Sequence, residues 1–133
     1  MITEDYVSFE IAKLLKEKGF DEVCEMFYCK PHEGYMRNRK RNEWRNSDLR
    51  ENMTCTCPTL QMTMKWLRET HNIHPNIVVE VYGSCATYMI DRIFDGNEEK
   101  WVDFKSDENP SNLYSKREEA CEMAIKYCLE NLI

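Results

Sequence analysis

The chain has 133 residues and a net charge of −6, with 42% hydrophobic and 32% charged residues and only four glycines and four prolines. This size and balance predict one globular α+β domain over 1–133 with its own core, and they exclude a disordered chain. So few glycines exclude the usual nucleotide-binding loops, and the negative charge confines any polyanion contact to a local patch.

The first element in chain order is a helix over 4–18. Thr3 is its expected N-cap, Glu4 and Asp5 suit the positive end of the helix dipole, and Val7, Ile11, Leu14 and Leu15 form an apolar stripe. Gly19 supplies its stop. Residues 22–29, rich in aromatic and β-branched side chains, suit a strand, and Pro31 to Gly34 suits a turn. From Tyr35 to Asn52 the chain turns polar and basic. Here the pattern fits a short hairpin strand as well as a long loop.

A second helix begins at Pro58, expected at the first helical position, with Leu60, Met64, Leu67 and His71 on one face and an end marked by Asn72 and Pro75. The β-branched run over 77–82 predicts a strand buried on both faces. Gly83-Ser84 turns the chain into a strand over 87–94. Asp95-Gly96-Asn97 turns it again into a strand over 101–105. Ser115 with Glu118 reads as a capping box opening a final helix over 116–131. Its stripe of Ala120, Cys121, Ala124, Ile125, Cys128, Leu129 and Leu132 contains small residues that permit close packing on a sheet.

The order is therefore α-β-(β)-α-β-β-β-α. Short turns between consecutive strands favour antiparallel pairing, so the expected fold is an antiparallel sheet of four or five strands with three helices packed mainly on one face.

The segment most suggestive of binding is Tyr35–Arg50, where Arg37, Arg39, Lys40, Arg41, Arg45 and Arg50 face only Glu43 and Asp48 in opposite charge. Arg and Lys neutralise phosphates and aromatic rings stack on bases. Arg37, Arg39, Lys40, Arg41, Trp44 and Arg45 are thus the candidate nucleic-acid or anion contacts. The opposing reading is a solvated segment whose cations balance an acidic molecule.

Cys29, His32, Cys55 and Cys57 have the softness of zinc ligands, but their spacing lacks paired knuckles and no metal site is expected. Cys85 with His71 or His74 has the residue types of a nucleophile–base pair without a strained elbow or an oxyanion loop. The acidic residues from Asp91 to Glu108 form no pair at a spacing that fixes two carboxylates on one rigid face. No catalytic residue and no cofactor is assigned.

No stretch approaches the roughly 18 consecutive apolar residues of a membrane span. Thr3-Glu4-Asp5 is acidic where a signal peptide is basic. A cytoplasmic protein is the expectation, with its seven cysteines as reduced thiols. The sequon Asn52-Met53-Thr54 is then a chance match.

Two helical stretches, 57–69 (CPTLQMTMKWLRE) and 118–133 (EEACEMAIKYCLENLI), with the opening ITEDYVSF over 2–9, resemble small proteins of gut bacteria and of their phages and mobile elements. No activity is assigned to that group, so the resemblance carries over no functional residues. It implies an accessory protein of a phage or mobile element. With no catalytic constellation in the sequence, the expected mode of action is binding to another protein, and nucleic-acid binding through 35–50 is the alternative.

Overall fold

The computed structural model describes residues 2, 4–29, 35–37, 43–49, 53–79, 86–94, 97–101 and 114–133. The chain is a mixture of helices and antiparallel strands, and it divides into two compact units, Met1–Thr63 with Ile133 and Met64–Leu132.

The first unit begins with an extended segment. Val7 N–H donates to the Pro58 carbonyl and Leu60 N–H to the Asp5 carbonyl, and Tyr6 bridges Thr59. That pairing holds residues 5–7 out of helical geometry, so helix α1 spans Phe9–Glu17 and not 4–18. Ser8 is the N-cap, its hydroxyl accepting from Ile11 N–H. The helix ends as the sequence predicts. Gly19 takes φ 91°, Phe20 N–H reaches back to the Leu15 carbonyl and Gly19 N–H to Lys16, closing the last turn with a left-handed residue.

Three strands follow: β1 (Met26–Cys29), β2 (Tyr35–Arg37) and β3 (Met53–Cys57). They form an antiparallel sheet of order β2-β1-β3. Strand β1 is shorter than the expected 22–29, because Cys24 forms only an isolated bridge to Trp44. The turn expected at 31–34 lies outside the described residues.

Both faces of this sheet are covered. Tyr28 meets Phe9 of α1 edge-on at 5.2 Å between ring centroids, and its hydroxyl donates to the Val7 carbonyl at 2.6 Å. On the other face Phe27, Cys29, Trp44 and Met53 form a buried cluster with Leu49 packed against it.

Helix α2 spans Leu60–His71. Thr59, not Pro58, opens it. The Thr59 hydroxyl accepts from Met62 N–H and its carbonyl accepts from Thr63, which leaves Pro58 outside the first turn. Asn72 at φ 56° ends it, a conformation asparagine tolerates better than most residues.

The second unit holds β4 (Ile73–Val79), β5 (Ala86–Phe94) and β6 (Asn97–Trp101), antiparallel in the order β4-β5-β6. Strand β4 runs straight through Pro75. Proline is tolerated because β4 is an outer strand and pairs only with β5 among the described residues. The strand expected over 101–105 starts earlier, at Asn97, and 102–105 lie outside the described residues, as does the turn at Asp95-Gly96.

Helix α3 spans Arg117–Tyr127 and continues as a π turn over Cys128–Leu132. Its stripe of Ala120, Cys121, Ala124, Ile125, Cys128 and Leu129 is buried, and the helix packs on β4 and β5. The expected capping box is not formed: Ser115 donates to Glu119, one residue beyond Glu118, and Lys116 is the N-cap without a side-chain bond.

The expectation of one sheet of four or five strands is corrected by two sheets of three strands among the described residues. The cause is local. Strand β1 has β2 on one side and β3 on the other, and the free side of β3 is closed by side chains: Lys16 Nζ donates to the Thr54 carbonyl at 2.8 Å, and Thr56 N–H donates to Asn46 Oδ1 at 2.9 Å. A further strand has no free groups to pair with at those positions. The helices do not gather on one face either, since the first sheet is covered by α1 on one side and by the Trp44–Leu49 segment on the other.

Candidate functional site

The basic segment is described in part. Arg37 ends β2, with its Cα in register with Phe27. Arg39, Lys40, Arg41 and Arg50 lie outside the described residues.

Trp44 is 4% exposed, and its ring lies edge-on to Phe27 at 5.4 Å between centroids. Its backbone exchanges two hydrogen bonds with Cys24. A ring held in the core in this way offers no face to a stacking base, so the structure gives Trp44 a packing role.

Arg45 is exposed, and its Nη1 donates to the Asp21 carbonyl at 2.7 Å. The next three residues form a short 3-10 turn, Asn46–Asp48, tied to the end of the α1 loop. Asn46 Nδ2 donates to the Phe20 carbonyl at 2.6 Å. Both Ser47 N–H and its hydroxyl donate to the Asp21 carboxylate. Asp48 Oδ2 in turn accepts from Arg45 N–H. The described part of the segment is therefore a clasp, in which the Asp21 carboxylate accepts from Ser47, the Asp48 carboxylate accepts from the Arg45 backbone, and the Arg45 side chain is held on the Asp21 carbonyl.

The candidate metal ligands do not converge. Cys29 pairs with Met53 in the Phe27–Trp44 cluster, whereas Cys55 pairs with Tyr28 and faces Lys13 and Lys16 of α1. The alternation of a strand puts them on opposite faces. Cys57 Sγ donates to the Val7 carbonyl at 3.4 Å, and His32 lies outside the described residues. Among the described residues no group of three or more His, Cys, Asp or Glu could hold a metal.

The six described cysteines are buried and none is joined in a disulfide. Burial pushes the Cys24 and Cys55 thiols up to about 11 and Cys128 up to about 12. The nearby Lys16 and Lys13 ammoniums pull Cys55 down without offsetting its desolvation. These three thiols stay protonated at neutral pH and are poor nucleophiles.

Cys85 lies outside the described residues. His71 packs its ring edge-on to Trp66 at 4.7 Å. His74 lies in register with Asp91 across β4 and β5, while Asp91 Oδ2 accepts from Asn76 Nδ2 at 2.8 Å.

Sequence reasoning missed the feature that stands out most on the surface. The strand expected over 77–82, with both faces buried, is described only over 77–79, where it forms the end of β4 (Ile73–Val79). Ile73 is fully buried, but Val78 is 40% and Val79 50% exposed at the far end of the strand. These are two of the four large hydrophobic residues exposed among the described ones. An unbroken β-branched run signals a strand without saying whether that strand is central or outer, and only the strand order shows it.

Among the described residues no helix is long and apolar enough to cross a membrane. Comparison with protein-family models, with curated proteins and with solved structures finds no match.

Proposed function

We propose that this protein works by binding another protein, as a non-enzymatic accessory protein of the cytoplasm, of the kind carried by phages and mobile elements. The observation that carries this reading is the exposed end of β4. Among the described residues β4 is an outer strand whose solvated Val78 and Val79 offer apolar side chains beside the sheet edge, and the natural complement of such an edge is an extended segment of another chain. The mobile-element part of the reading rests on the resemblance of the helical stretches alone.

The test is affinity capture from nuclease-treated and untreated lysate of the native host, using the wild-type chain and a Val78→Lys/Val79→Lys variant whose fold is checked by circular dichroism. A protein retained after nuclease by the wild type and lost with the variant supports the reading. Equal retention by both chains overturns the role of β4. Captured proteins that vanish with nuclease, or recovered nucleic acid, overturn protein binding in favour of the basic segment over 35–50.

A further inference from the structure

We draw no further inference here: the strongest candidate, the exposed Val78–Val79 end of the β4 edge, belongs to the reading already proposed, and nothing in the structure shows which partner covers it.

Discussion

Among the described residues, strands β3 and β4 are both outer strands of three-stranded antiparallel sheets, yet their outer sides are finished differently. On β3, Lys16 and Asn46 reach the backbone of Thr54 and Thr56, and the side chains of Met53, Cys55, Thr56 and Cys57 are buried. On β4, burial fades along the strand from Ile73 to Val79, and the apolar character of the sequence does not fade with it. An edge closed by polar side chains is spent on the protein's own fold. An edge that keeps valines in water carries a standing cost that contact with another chain would relieve. The described outer side of β3 is thus used for packing, whereas the far end of β4 leaves two valines solvated.

The strongest way to break that contrast is at Trp44. If its ring belongs to the packing of the first unit, Trp44→Ala costs about 3–5 kcal/mol in a denaturant titration. A ring serving as an external stacking platform would leave the unfolding midpoint where it was.

Raising the pH probes the same burial by another route. Cys24 and Cys55 have folded pKa values near 11, above the ordinary thiol value of 9.0, so between those limits the unfolded chain loses protons that the folded chain keeps. Fewer bound protons in the unfolded state make stability fall as pH rises. The expected loss is on the order of 2–3 kcal/mol per thiol from pH 9 to 11, followed by thermal unfolding, and Cys55→Ala flattens the slope. A flat profile would mean that these thiols are solvated.

Asn46→Ala is the next largest expected effect. It removes the donor to Phe20 and the acceptor for Thr56 together, and costs about 2 kcal/mol. It also frees the Thr56 amide, whose hydrogen exchange should accelerate. Unchanged exchange at Thr56 would show that the side chain does not close this edge. The smallest effect on stability is expected on the other strand. Val78→Lys with Val79→Lys should shift unfolding by less than about 1 kcal/mol, because little apolar burial is lost. A larger loss would show that the two valines serve the protein's own core.

The elements that were legible in the sequence are those whose signals are local. Gly19 ends α1 where its freedom at positive φ is needed, and the 120–129 stripe of α3 is buried as its spacing requires. Strand β3 was missed although Met53-Thr54-Cys55-Thr56-Cys57 carries β-branched residues in alternation, because cysteine and threonine mark neither a clear apolar nor a clear polar face. The start of α1 was misplaced because the pairing of residues 5–7 with 58–60 is a long-range bond that no local pattern announces.

The candidate site was less legible than the fold. Charge density drew attention to 35–50, but a tryptophan flanked by Glu43 and Arg45 has the same sequence neighbours whether it is solvated or buried against Phe27. The exposure of β4 depends on strand order, which the chain reveals only on folding.

Photocrosslinking tests the contrast between the two edges most directly. A photoreactive benzoylphenylalanine replaces Val79 in one protein and Thr54 in another, and both are irradiated in nuclease-treated host lysate. A discrete crosslinked protein from position 79, with none of that species from position 54, is the expected result. Crosslinking from position 54 alone, or equally from both, would contradict it.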